Sequence, residues 1–462
     1  MVPAYLSYSN KYVYIKLNMA KKQSSYLVQN LQVMKHTSFV IAFLLPLLGF
    51  AQLASGPMVG HVTYQEATIW VQTMQAGPVQ LKYWPEAQPK LAVIGETETT
   101  KVKHGNTAHL TARNLVPGTI YRYEILVNGK AIKAHHEQKF ETPAVWKWRG
   151  DAPDFDFVAG SCFYINEEAY DRPGKPYGGD YQILDAIYRD KPDFMVWLGD
   201  NTYLREADWD SKSGIYHRYS HTRALKELQP LLANTPQYAI WDDHDYGPND
   251  SDRSYYGKQW TRAAFRDFWA NPVYGAGDTE GITGAFSRSD ADFFLMDNRW
   301  YRSPQSPSGE ILGEKQLNWL IEALRYSSAS FKFVCIGGQT LSDARVFENH
   351  AIYVAERQKL LDAIDQYKIK GVVFLTGDRH HSELTAWTSP SGIKVYDITS
   401  SALTSSTTAH PEEPNTGRVE GSMVGVRNYA KIRVEGPKAD RRLVLEFKNA
   451  SGQVAYTHTI NP

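Results

Sequence analysis

Cysteine is nearly missing from this chain: Cys162 and Cys335 are the only two in 462 residues. One disulfide is the most they could form, and composition alone leaves that pairing open for an exported protein. Their settings argue against it. Cys335 lies inside the apolar run Phe331-Lys-Phe-Val-Cys-Ile336 and reads as a core residue, whereas Cys162 closes Phe155-Asp-Phe-Val-Ala-Gly-Ser-Cys162, where a strand opens into a loop. Net charge is also missing. The 50 basic and 50 acidic residues cancel, so no global field favours nucleic acid or an anionic membrane, and any affinity for anions must be local. No Gly-x-x-x-x-Gly-Lys-[Ser/Thr] segment occurs, which leaves a P-loop nucleotide mechanism without support. Nor is there a Gly-x-Ser-x-Gly elbow to carry a nucleophilic serine.

What is present fits a soluble globular protein: 42% hydrophobic and 22% charged residues, with 29 Tyr and 12 Trp. The length exceeds one ordinary domain and implies two. Near the start, Met34-Lys-His-Thr is followed by Ser38-Phe-Val-Ile-Ala-Phe-Leu-Leu-Pro-Leu-Leu-Gly-Phe50 and then Ala51-Gln52. A basic start, a short apolar core and small residues at Gly49 and Ala51 form the pattern of a cleavable secretory signal. The run is shorter than the roughly 20 residues that span a bilayer as a helix. Residues 34–51 are therefore read as a signal peptide and 1–33 as a non-native upstream extension; the competing reading is an ordinary buried segment. No cysteine follows the apolar core, so a lipid anchor is not expected. The expected location is periplasmic or secreted, with no transmembrane segment in the mature protein.

Residues 55–143 carry a β pattern. Val79, Leu81 and Tyr83 alternate with polar neighbours, as do Tyr121, Tyr123, Ile125 and Val127. Asn128-Gly129 follows directly, a strong hairpin signal, and Leu115-Val-Pro-Gly-Thr-Ile-Tyr121 resembles the tyrosine corner of fibronectin type III sandwiches. After the connection at 144–153 the pattern changes over 154–462 to short apolar strands alternating with amphipathic helices at Asp180–Arg189 and Glu356–Tyr367. That is an α/β domain. Alternating strands return from Asn428 to Ile460 and are expected to complete one of its sheets.

The chemistry lies at the strand ends. Phe155–Ala159 runs into Gly160-Ser161-Cys162, Asp193–Leu198 into Gly199-Asp-Asn-Thr-Tyr203, Gln237–Trp241 into Asp242-Asp-His-Asp245, and Gly371–Leu375 into Thr376-Gly-Asp-Arg-His-His381. In open α/β sheets the site lies beyond the carboxyl ends of the strands. Taken singly each cluster is weak: an Asp after a strand is commonly a helix cap or turn residue, and a lone cysteine is commonly core. Four together in one domain are not easily coincidental.

With Asp297-Asn-Arg299 added, these motifs resemble the PhoD-like alkaline phosphatases of the calcineurin-like metallophosphoesterase superfamily, from about Met58 to the C-terminus. The resemblance implies a four-layer α-β-β-α domain behind a small β-sandwich, and an exported metal-dependent hydrolase of phosphate monoesters, diesters or both. It implies that Asp200 bridges two metal ions and that Tyr203, Cys162 and His380 hold Fe3+. Asp243 and Asp378 would hold a second, harder cation, Ca2+ or else Mg2+ or Mn2+, for which oxygen ligation is apt. A metal-activated water would attack phosphorus in line with the leaving oxygen. His244 could donate a proton or orient the phosphate, and Arg299 could grip a phosphate oxygen through its planar fork or instead pair with Asp297 or Asp292. Asn249, Asp250 and Asp252 are open as further oxygen ligands. Gly337-Gly-Gln-Thr340 stands where many superfamily members offer a histidine, and His350 is some way along. The expected partner is a small phosphate ester, with no specific nucleic-acid binding. Against this stands a non-catalytic extracellular binding protein with structural metals, and, behind it, a redox use of the iron.

Overall fold

The computed structural model describes residues 52–461, so the expected upstream extension and signal peptide lie outside the described residues. The amino-terminal part contains strands β1 (Leu53–Val62), β2 (Ala67–Thr73), β3 (Pro78–Pro85), β4 (Val93–Ile94), β5 (Glu98–Thr99), β6 (Thr107–Ala112), β7 (Ile120–Val127), β8 (Lys130–Ala131) and β9 (Lys139–Glu141). One sheet runs β1-β2-β6. The other runs β4-β3-β7-β8, with β5 and β9 added to β3 and β7. Asn128 and Gly129 both take positive φ between β7 and β8, as a two-residue hairpin demands. The Tyr121 hydroxyl accepts from the Val116 amide at 2.9 Å, closing the tyrosine corner.

The sandwich is not a tethered bead. Met58 and Trp70 belong to the same buried cluster as the α/β core. The Trp70 indole donates to the Asp267 carbonyl at 2.8 Å and the Tyr123 hydroxyl to the Ala233 carbonyl at 2.8 Å. At Gly60 a Cβ atom would stand 2.3 Å from that of Ala270, so the contact requires glycine.

The second region has two six-stranded sheets. In the first, β10 (Phe155–Gly160), β11 (Phe194–Leu198) and β12 (Gln237–Ile240) run parallel; β19 (Asn428–Glu435), β20 (Arg442–Asn449) and β21 (Val454–Ile460) add antiparallel on the β10 side. The carboxy-terminal strands thus complete a sheet, as their alternation predicts. The second sheet orders β13 (Gly284–Arg288), β14 (Ala291–Leu295), β15 (Phe331–Cys335), β16 (Val372–Thr376), β18 (Lys394–Thr399) and β17 (Glu383–Thr388). Phenylalanines fill the space between sheets: Phe157 meets Phe293 and Phe333 edge-on, each at 5.2 Å between centroids. Such geometry is favoured by the ring quadrupole.

Helices cover the outer faces. On the first sheet lie α1 (Ile183–Arg189), α2 (Lys212–Arg223), α3 (Gln229–Asn234), the single turn α4 (Asp243–Tyr246) and α5 (Lys258–Phe268). On the second, α6 (Glu314–Tyr326) and α7 (Val354–Gln366) bury Leu317, Leu320, Leu324, Leu360 and Ile364 against Val334, Val372 and Phe374. This is the α-β-β-α arrangement. Cys335 is buried in the core, and both cysteines are free thiols.

Candidate metal centre

Parallel strands end together, and here the carboxyl ends of both sheets converge. A Cβ atom on Gly377, after β16, would lie 2.6 Å from that of Ser161, after β10, and 2.8 Å from the Leu198 carbonyl oxygen at the end of β11. Only glycine permits that approach. The turns that follow are tight. Cys162, Asp200, Asp378 and His380 all adopt positive φ, at 58°, 53°, 67° and 56°. Four non-glycine residues in this sparsely populated region, on three separate turns, mark backbone held by its surroundings for a purpose.

These turns bring the expected ligands into one buried cluster. The Cys162 thiol lies 3.6 Å from Asp200 Oδ2 and receives the Ser401 hydroxyl at 3.1 Å. Carboxylate oxygens of Asp200 and Asp243 and a ring nitrogen of His244 all lie within 4.8 Å of one another. The rings of Tyr203 and His244 pack at 4.2 Å. His380 Nδ1 is 3.4 Å from the hydroxyl of Tyr177, a half-exposed side chain at the rim. Helix α4 presents Asp243 and His244 because its first turn is locked: Asp245 Oδ2 accepts from the Asp242 amide at 3.0 Å, and its carboxylate also accepts from the Asn201 amide. Asp245 is therefore structural, and burial raises its pKa to about 8.

The electrostatics ask for a cation. Burial pushes the Asp200 carboxyl well above the usual range, and Asp243, Asp242 and Asp378 push it further. Asp378 is raised likewise, by burial and then by Asp242, Asp243 and Glu348. The Cys162 thiol and the Tyr203 phenol are raised by burial first, with Asp200 adding to both. Tyr203 Oη, Asp243 Oδ1 and His244 Nδ1 are buried without a hydrogen-bond partner among the described residues. Buried acidic groups that repel each other ionise only when paired with positive charge or bound to metal. Oxygen, nitrogen and one sulfur make up the donor set, which fits a pair of metal ions. His380 is held down to about 4, by burial and then by His244. His244 is lowered by burial; Asp243 opposes, while the positive charges of Arg205 and Arg299 reinforce it. Both rings are thus neutral and able to ligate or to hydrogen-bond.

Arg299 requires a correction. Its guanidinium is fully buried and engaged by the carboxylates of Asp242 and Glu348, with Asp243 3.7 Å away. A fork so occupied cannot close on a phosphate. Nor does its side chain pair with Asp297 or Asp292, the expected alternatives. Asp297 instead accepts from the Trp241 indole at 2.7 Å and from the amides of Ile282, Arg299 and Trp300. Glu348 is the residue that sequence reasoning missed. It is buried within 4.8 Å of Asp242 and Asp243 and also binds Arg302. It lies on the long loop after β15, where no local pattern points to it. His350, two residues on, turns away to Glu356 at 3.2 Å. Of the three open candidates after α4, Asp250 touches the cluster through its backbone amide, which donates to Asp243 Oδ2 at 2.9 Å.

Two packed sheets thus carry a buried donor cluster at their shared carboxyl rim. A family model described as PhoD-like phosphatase matches residues 157–436, and one for a domain of unknown function (DUF7800) matches residues 50–145. The chain belongs to the PhoD-like phosphatase family. It is similar to alkaline phosphatase D of Bacillus subtilis (strain 168), with 21% identity over 359 residues, 67% of this chain and 59% of that protein. It thus spans about three-fifths of that curated relative's length. Among solved structures, PhoD superposes with a TM-score of 0.72 at 17% identity, covering 89% of this chain and 90% of that one. A purple acid phosphatase from yellow lupin (Lupinus luteus) gives 0.67 at 14% identity, covering 88% and 75%. The fold is therefore that of the metallophosphoesterases.

Proposed function

We propose that the chain is an exported phosphatase or phosphodiesterase in which Cys162, Asp200, Tyr203, Asp243, Asp378 and His380 hold metal ions. The observation that carries this reading is the cluster itself: mutually repelling buried carboxyls, a thiol and a phenol with unpartnered atoms, on strained turns. Tyr203 and Cys162 suit a ferric ion, whereas the carboxylates of Asp243 and Asp378 suit a hard cation such as calcium. When bound, the ions supply Lewis acidity, making water a stronger acid and neutralising charge that builds on phosphoryl oxygens.

The chain's own residues do the rest. Asp200 has the Cys162 thiol 3.6 Å from its Oδ2 and accepts from the His244 amide at Oδ1, so it would serve both ions. His244, kept neutral by burial, orients the phosphate through a ring N–H more readily than it acts as a cationic acid. Arg299, with Glu348, fixes Asp242 and Asp243 and so acts as a positioning residue. The aromatic packing of Tyr203 against His244 limits water in the site, which strengthens each polar contact there. Export rests on the signal-like segment 34–51.

Hydrolysis of p-nitrophenyl phosphate and of its bis-p-nitrophenyl diester by protein starting near Gln52 tests the reaction. Chelator-sensitive release is expected from at least one ester. No release after addition of iron and calcium would refute the catalytic reading and favour a binding protein with structural metals.

A further inference from the structure

Arg299 is committed to Asp242 and Glu348, but a second buried arginine, Arg205, stands beside the cluster. Arg205 is on the same turn as Asp200 and Tyr203, and the next amide before it, that of Leu204, donates to the His244 carbonyl at 3.0 Å. The Arg205 side chain is 9% exposed. Its guanidinium carbon lies 5.8 Å from the centre of the Tyr164 ring. Tyr164 packs on Tyr203 at 4.9 Å, and Tyr203 on His244 at 4.2 Å. The guanidinium thus stands at the end of an aromatic stack that leads straight into the donor cluster.

Its charge is barely answered. Arg205 Nε is buried with no hydrogen-bond partner among the described residues. The only ion pair the fork makes among those residues is with Glu206, 3.5 Å away and 53% exposed, a pairing worth little in water. The other acids nearby are already taken. Asp208 Oδ2 accepts from the Arg218 Nε and from the Arg205 backbone amide, at 2.9 and 2.8 Å. Glu167 pairs with Arg218 and His217, and Asp171 accepts from the Tyr164 hydroxyl. A buried guanidinium held in place by its own backbone, with an unfilled donor, is poised for an anion that arrives from outside.

We propose that Arg205 is a substrate-binding residue that grips the phosphoryl oxygens and biases the enzyme towards dianionic phosphate monoesters over monoanionic diesters. This rests on the hydrolytic reading above and adds a substrate class to it. A single fixed cation interacts more strongly with the more highly charged ester, and a planar fork can engage two oxygens at once.

The test compares Arg205→Gln and Arg205→Lys with the metal-loaded wild type. On the monoester, Arg205→Gln is expected to lose on the order of 100-fold in kcat/KM, the scale of removing one transition-state donor. On the diester it should lose about tenfold, so the monoester-to-diester ratio falls by about an order of magnitude. Inhibition by inorganic phosphate should weaken in parallel while bound metal is unchanged. Arg205→Lys should fall between, and it supplies the same readout if the Gln variant does not fold. Equal losses on both esters, or an unchanged phosphate inhibition constant, would overturn the proposal. Should the wild type hydrolyse neither ester, thermal stabilisation of the metal-loaded protein by inorganic phosphate decides. Weaker stabilisation of the Gln variant would uphold the anion grip although hydrolysis had failed, and equal stabilisation would overturn it.

Discussion

Replacing Asp200 by asparagine should move stability and activity in opposite directions. The donor atoms of Asp200, Asp243 and His244 lie within 4.8 Å of one another. Two carboxylates at that separation repel by about 3–4 kcal/mol at an effective dielectric constant near 20. The metal-free protein escapes part of this by binding protons, which is why the Asp200 carboxyl is raised so far. Removing its charge should therefore return less than the full repulsion, about 1–3 kcal/mol. Asparagine suits the position otherwise. Its side chain tolerates the positive φ of 53° found at Asp200, and its carbonyl oxygen can keep the bond from the His244 amide.

The assay is calorimetry with chelator and with metal, beside ester hydrolysis. An entropy of unfolding near 2.1 cal/mol/K per residue over roughly 400 residues converts 1 kcal/mol into only about 1 °C. The metal-free variant should thus melt about 1–3 °C above the metal-free wild type. With metal present it should lose the stabilisation that metal confers, and its turnover should fall by at least about 100-fold, more than second-layer changes usually cost. A lower melting point in chelator would refute the electrostatic reading of the cluster. Activity within about tenfold of wild type would refute the place given to Asp200.

Three further outcomes follow from other parts of the molecule. Glu348→Ala strands Arg299 and Arg302, whose guanidinium groups it binds, and should cost about 3–5 kcal/mol in urea unfolding, as breaking buried ion pairs does; a loss below about 1 kcal/mol would show the network to be dispensable. Tyr203→Phe should remove the phenolate-to-iron charge-transfer band of the iron-loaded protein and leave only a thiolate contribution, whereas an unchanged visible spectrum would remove Tyr203 from the iron. His61, part-buried against Tyr238 and far from the donor cluster in sequence, has its pKa lowered to about 4 by burial. The unfolded chain then binds a proton near pH 6.5 that the folded chain refuses, so this contribution is full above pH 6.5 and is lost as pH falls towards 4. After allowance for partial exposure, the wild type should lose about 2–3 kcal/mol more than His61→Gln across that window, and parallel pH profiles would rule the effect out.

How much of this was legible in the sequence depends on whether local pattern or distant contact carries the information. Strand ends followed by acids are local, so the clusters that hold Cys162, Asp200, Tyr203, Asp243, Asp378 and His380 stand out, the family resemblance picks these six within them, and the structure brings them together at one rim. Turn chemistry is local as well. Asn128-Gly129 and the Tyr121 corner form as their residues require. Helix ends shift slightly because tertiary packing, not propensity, sets them: the first helix begins at Ile183 instead of Asp180.

Charge pairing is not local, and there the reading failed. Arg299 sits 57 residues from Asp242 and 49 from Glu348 in the chain, yet both carboxylates close on it. No spacing rule reaches across such gaps, so its fork could be imagined free when it is not. The same blindness hides Glu348 altogether and leaves Arg205 looking like an ordinary loop residue. What distinguishes Arg205 is which of its neighbours are already paired, a property of the folded state. A cation bound by acids on all sides builds the site; one left unanswered at its edge is available to a substrate. That distinction cannot be written in a motif, and it assigns opposite duties to two arginines beside the same donor cluster.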